Sequence, residues 1–114
     1  MNATTLSALA EPNRLRIVEL LRDTPCSVGE IATKLVLRQP QVSKHLRVLN
    51  EVGIVGVRAK AQQRIYQLEA RPFVEMESWL KTFKGLWESR YQRLDSLLEE
   101  MKTDTTRSQE EVTT

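Results

Sequence analysis

Between Ser27 and Leu68 the spacing of apolar residues changes its period, and that change limits what the chain can build. Val28, Ile31, Ala32 and Leu35 recur at helical intervals, as do Val42, Leu46 and Leu49. Only Val36 to Arg38 separate the two stripes. After Gly53 the helical period stops. Ile54 to Val57 and Arg64 to Leu68 are rich in β-branched residues and alternate apolar with polar, the period of half-buried strands. Two short helices about a tight turn, followed at once by a hairpin, leave few ways to bury both stripes.

The ends of these elements carry their own signals. Ser27-Val28-Gly29-Glu30 is a capping box, in which Ser27 accepts from the amide three residues on and Glu30 reaches back. Pro40 suits a first helical turn, and Gly53 suits a left-handed cap at the helix end. Upstream, Thr4 to Ala10 predicts a short helix with Leu6 and Leu9 on one side. Glu11-Pro12 interrupts it, because proline disfavours a helical residue before itself. A second helix is expected from about Pro12 to Arg22. The polar, basic segment Arg58 to Gln63, with Lys60 and Gln62, reads as a flexible hairpin tip; without Asn-Gly or Asp-Gly its turn type stays open. Pro72 opens a last helix predicted from about Phe73 to Met101.

The expected fold is therefore mainly α with a β-hairpin wing, in the order α-α-α-α-β-β-α: a winged helix-turn-helix. Residues 1–102 form its single domain. Residues 103–114 are almost wholly polar and are predicted to be a disordered tail.

The formal net charge is only +2, but it is unevenly spread. Residues 34 to 64 carry Lys34, Arg38, Lys44, Arg47, Arg58, Lys60 and Arg64 against one acid, Glu51. A basic segment between more acidic flanks suits a polyanion; the alternative is a solvated basic surface, and charge alone does not choose. No apolar run approaches the ~20 residues needed to cross a bilayer. The first residues lack the basic and apolar regions of a signal peptide, so a cytoplasmic protein without a membrane partner is expected. One cysteine, Cys26, permits no disulfide within the chain. One histidine, one cysteine and no phosphate loop leave little from which to assemble an enzyme, and no cofactor is expected.

The second helix of the motif is the candidate recognition helix. Val42, Leu46 and Leu49 form its buried stripe, while Pro40, Ser43, Lys44 and Arg47 share another face. Short polar side chains near the N-terminus allow close approach to base edges in a major groove, and cations follow further along. Gln39 and Gln41 lie in the first turn. His45 sits between the two faces, with no second histidine to complete a metal site, so a hydrogen-bonded histidine is expected over a ligand or a pH switch.

Phe73, Met76, Leu80, Phe83, Trp87 and Leu94 recur at intervals close to a heptad repeat along the last helix. This is more apolar surface than one small domain can cover, so a homodimer is expected.

Several segments resemble the ArsR/SmtB family of bacterial repressors. Ala8-Leu9-Ala10-Glu11-Pro12-Asn13-Arg14-Leu15-Arg16-Ile17 resembles its opening pattern, and Gln39-Pro40-Gln41-Val42-Ser43-Lys44-His45-Leu46 its recognition helix. Val48-Leu49 with Gly53-Ile54-Val55, and Arg64-Ile65-Tyr66-Gln67-Leu68, are similar to the segments that follow. The resemblance spans roughly residues 4 to 101. It implies a dimeric repressor bound to double-stranded DNA at an inverted-repeat promoter operator. Gln39, Pro40, Ser43 and Lys44 would face bases, with Gln41, His45 and Arg47 at or near the backbone. The wing would contribute Arg58, Lys60, Gln62, Gln63 and Arg64. The first and last helices would form the dimer interface, adding Leu6 and Leu9 to the residues above. Arg38 stands where the family often has a serine cap.

Metal-sensing members of that family carry a thiolate pair where this chain has Ser27 and Gly29, and histidines on a last helix that here has none. The implied protein holds no metal. The stretch around Trp79, Phe83, Trp87 and Arg93-Leu94-Asp95 is similar to a metal-independent subgroup. The competing expectations are a winged-helix protein-interaction module without a DNA target, and a regulator answering an organic ligand or oxidation of Cys26. No effector is assigned.

Overall fold

The computed structural model describes the backbone of residues 1–113 and the side chains of residues 1–103. Four helices open the chain: α1 (Ala3–Leu9), α2 (Pro12–Asp23), α3 (Val28–Leu35) and α4 (Gln39–Glu51). An antiparallel hairpin of β1 (Val55–Lys60) and β2 (Gln63–Leu68) follows, then α5 (Ala70–Lys81) and α6 (Lys84–Thr113). This is a winged helix-turn-helix.

The helix ends form as the local chemistry dictates. The Glu11 carboxylate accepts from the Arg14 amide at 2.7 Å and starts α2, with Pro12 in the first turn where its missing N–H costs nothing. In the capping box, Ser27 Oγ accepts from the Glu30 amide at 3.2 Å, and Glu30 Oε1 accepts from the Ser27 amide at 3.2 Å. The start of α4 is half a box. Gln41 Oε1 accepts from the Arg38 amide at 3.3 Å, but a guanidinium has no acceptor with which to reciprocate. Gly53, with φ of 81°, takes the left-handed conformation beyond the end of α4. The turn between α3 and α4 bends through Val36, whose φ of 55° is unusual for a β-branched residue.

Residues Met1–Glu77 form one compact unit. Its core joins Ile17, Val18 and Leu21 of α2, Ile31 of α3, and Val42, Leu46 and Leu49 of α4 to Ile54 and Val55 at the root of the hairpin. Cys26 is fully buried among them and pairs with Tyr66: each backbone amide donates to the other's carbonyl, at 3.1 and 2.8 Å. In α1 it is Thr5 and Ala8 that turn inward, which leaves Leu6 exposed and Leu9 half-buried. Phe73 is half-buried and packs against this same core.

Three boundaries depart from the sequence-based expectation. The wing strands run to Lys60 and from Gln63, so the tip is only Ala61-Gln62. The strand residues nearest the tip, 58 to 60 and 63 to 64, are exposed, and an apolar alternation cannot mark strand ends that bury nothing. Positive φ falls on Ala61 alone, the sign pattern of a type II′ turn.

The predicted last helix is two helices. The amide of Thr82 donates to the Trp79 carbonyl at 3.0 Å, and the Thr82 hydroxyl donates to the same carbonyl at 2.7 Å. This tighter turn breaks the i→i−4 ladder just before Gly85, a poor helix former. Beyond Met101, α6 continues through the stretch whose composition predicts disorder; lengthening a formed helix avoids the cost of nucleation.

The second unit begins at Ser78. Trp79 and Phe83 meet edge-to-face within it, ring centres 5.2 Å apart. Leu80, Phe83, Leu86, Leu94, Leu97 and Met101 are exposed along its helices, and Trp87 is partly so.

Candidate nucleic-acid interface

The buried stripe of α4 fixes which residues face outward. With Val42, Leu46 and Leu49 in the core, Gln39, Pro40, Gln41, Ser43, Lys44 and Arg47 are all exposed. Lys44 and Arg47 make no ion pair or hydrogen bond among the described residues, so their charge is free for a partner.

His45 stands apart from this set. Its side chain is 18% exposed and its Nδ1 faces Glu11 Oε2 3.7 Å away, too far for a hydrogen bond. Among the described residues this nitrogen therefore has no hydrogen-bond partner, unlike the hydrogen-bonded histidine expected from the sequence. The residue is turned toward the start of α2 rather than toward solvent.

Two contacts brace the elements of the motif. Arg16 donates to the Leu35 carbonyl at 2.9 Å and ties α2 to the end of α3. Asn50 Nδ2 donates to the Val55 carbonyl at 2.9 Å and ties the end of α4 to the root of the wing. Sequence patterning does not single out Asn50; its only signal is an amide-bearing residue three places before a capping glycine.

The strand register sorts the wing residues. Residues directly opposite one another in an antiparallel pair share a face. Val57 with Tyr66, and Ala59 with Arg64, therefore occupy one face; Arg58 with Ile65, and Lys60 with Gln63, occupy the other. The Val57–Tyr66 face is directed toward α4, since Val57, Arg64 and Tyr66 line one cleft with Ser43, Arg47 and Asn50. The Arg58–Ile65 face is directed toward the start of α3, since Arg58, Lys60 and Gln63 line another cleft with Thr24 and Glu30. The wing cations thus divide: Arg64 joins Arg47 beside the recognition helix, while Arg58 and Lys60 lie on the side of Glu30. Gln62 is exposed at the tip.

Electrostatics near the motif follow from hydrogen bonding and burial. The bonds from Ser27 hold the Glu30 carboxyl below its usual range, with Lys34 and Lys60 adding to the effect. Burial pushes the Cys26 thiol up, partly opposed by the Lys34 ammonium 3.9 Å from Sγ. Ser27 is a helix cap and Gly29 lies within α3. Among the described residues no three His, Cys, Asp or Glu side chains gather closely enough to hold a metal ion, and no helix is long and apolar enough to cross a membrane.

The family described as bacterial regulatory protein, arsR family, matches residues 11–57. The chain is 38% identical over 76 residues to the HTH-type transcriptional regulator Rv2034 of Mycobacterium tuberculosis, a match covering 67% of this chain and 71% of that one. It is 46% identical over 66 residues to the biofilm growth-associated repressor of Agrobacterium fabrum, covering 58% of this chain and 56% of the relative. The chain thus spans little more than half the length of that repressor. Among solved structures, the transcriptional repressor BigR from Xylella fastidiosa aligns with a TM-score of 0.60 at 34% identity, over 71% of this chain and 80% of that one.

Proposed function

The chain belongs to the ArsR family of bacterial regulatory proteins, and from that premise we propose that it is a repressor working as a homodimer on an inverted-repeat promoter operator, without a metal effector. The family consists of transcriptional regulators, not enzymes, and a DNA partner follows from it.

The observation that carries the finer reading is the outer face of the first turns of α4, which presents Gln39, Pro40, Gln41, Ser43, Lys44 and Arg47 with no carboxylate before Glu51 at the helix end and is flanked by Arg64. Short side chains near the N-terminus suit base edges, and the cations behind them suit the backbone. Arg58, Lys60, Gln62 and Gln63 extend the basic surface along the wing.

The dimer reading draws on exposed Leu6, half-buried Leu9 and Met76, and the stripe of Leu80, Phe83, Trp87 and Leu94. Phe73 gives part of its surface to its own core. A cytoplasmic location agrees with this role.

The test is binding to a duplex that the protein itself recovers from a random pool, measured across a salt series, alongside sedimentation at micromolar concentration. The expected result is a dimer whose affinity falls steeply with salt and is unchanged by zinc or cadmium. A monomer, or a stoichiometric loss of binding on adding metal, overturns the corresponding part.

A further inference from the structure

The cleft between α4 and the wing has a volume of about 320 Å³. Two periodicities build it. Ser43, Arg47 and Asn50 recur at helical spacing along one side of α4, and Arg64 and Tyr66 lie two residues apart on one face of β2. Leu46 and Val57 supply its apolar lining. No carboxylate is among its lining residues.

What sets this cleft apart is the number of donors left unused. Among the described residues, the Ser43 hydroxyl, the Arg47 and Arg64 guanidiniums and the Tyr66 hydroxyl make no hydrogen bond or ion pair. Asn50 gives one N–H to the Val55 carbonyl and keeps another. Tyr66 is held at its backbone by the paired bonds to Cys26 at 2.8 and 3.1 Å, so its ring departs from a fixed point.

Two cations and several neutral donors around a concave space suit an oxyanion. A guanidinium fork pairs with two anionic oxygens at once, and a hydroxyl fits a third. We propose that this cleft seats one phosphate of the DNA backbone, gripped jointly by the recognition helix and the wing, with the Tyr66 hydroxyl as its neutral donor. The proposal rests on the DNA-binding reading above and deepens it: it states where the backbone passes between the two elements. A free inorganic phosphate would satisfy the same donors, so the test must separate the two sources.

The experiment uses the full chain and a duplex recovered from a random pool by the wild-type protein. Neutral methylphosphonate linkages are placed one at a time along each half-site. For wild type, one position per half-site should weaken binding by roughly tenfold, the scale of a lost charge-assisted hydrogen bond. Tyr66→Phe removes the donor from both protomers, so it should weaken binding to the unmodified duplex by roughly tenfold per protomer and add nothing further when that one position is also neutralised. Arg64→Gln, at an exposed strand site, should repeat the pattern and guards against a folding artefact. Losses that multiply at every position overturn the proposal while leaving DNA binding intact. So does saturation of the Tyr66 ring resonances by inorganic phosphate alone without coupling to any linkage. Recovery of no duplex at all overturns the DNA-binding reading itself.

Discussion

His45 Nδ1 lies 3.7 Å from the Glu11 carboxylate oxygen that already caps α2 through the Arg14 amide. One carboxylate therefore caps α2 and lies beside the flank of the recognition helix without hydrogen bonding to it. The Arg14 side chain continues the connection by donating to the Ala8 carbonyl at 2.6 Å, which fixes the elbow between α1 and α2. Glu11→Ala should lower stability by about 1 kcal/mol through loss of the cap. Glu11→Gln, which keeps an acceptor, should recover most of it. Urea unfolding of the three proteins checks this; equal losses for both variants would show that the charge, not the cap, matters.

Val36 bends the turn between α3 and α4 in a left-handed conformation while 88% of its surface is exposed. Left-handed backbone costs an L-residue about 1–2 kcal/mol, and here almost no burial compensates. Val36→Gly should therefore raise the melting temperature, although glycine's greater freedom when unfolded returns part of the gain. A lower melting temperature would mean that the Val36 side chain contributes packing that its exposure hides.

The Glu30 carboxyl is held below its ordinary range by its bonds to Ser27. A depressed carboxyl stabilises the fold above its unfolded pKa, and that contribution disappears as pH falls through the folded value. The acid limb of the stability curve should thus begin as pH drops below the ordinary carboxylate range. Glu30→Gln keeps a capping-box acceptor and should flatten that limb. Thermal unfolding between neutral and acid pH compares the two; superimposable acid limbs would refute the assignment.

Cys26 is fully buried and its thiol is pushed up by desolvation. The thiolate is the reactive form, so native protein at neutral pH should resist alkylation and react fully once unfolded. Rapid native labelling would show that the α3–wing junction opens readily.

Arg64 and Lys60 belong to opposite faces of the wing. Arg64→Gln should reduce the log–log salt slope of operator binding by about 1.8, for one phosphate contact in each of two protomers. Lys60→Gln should reduce it less, because its face is shared with Glu30. A larger change for Lys60 would reverse the orientation assigned to the wing.

The parts of this fold legible in the sequence are those whose signals are local or periodic. The capping box at Ser27, the cap at Gly53 and the stripe of Val42, Leu46 and Leu49 each need only neighbouring residues, and each appears in place. The break at Thr82 is hidden, because the apolar repeat runs through it while the hydrogen bonds do not. The wing is longer than its sequence pattern for the opposite reason: its tip pairs backbone to backbone without burying side chains. By pattern alone Tyr66 is one more strand residue. Its unused hydroxyl and its tie to the distant Cys26 exist only once the loop before α3 lies beside β2.

That tie makes the gap between α4 and β2 behave like the opening of a caliper. One jaw is pinned where Tyr66 pairs with Cys26, and the other where Asn50 holds Val55. A duplex whose strand spacing does not suit the opening must deform to enter, and the ease of deformation varies with sequence. Base pairs that no side chain reaches would then weigh in the choice of site through their stiffness alone.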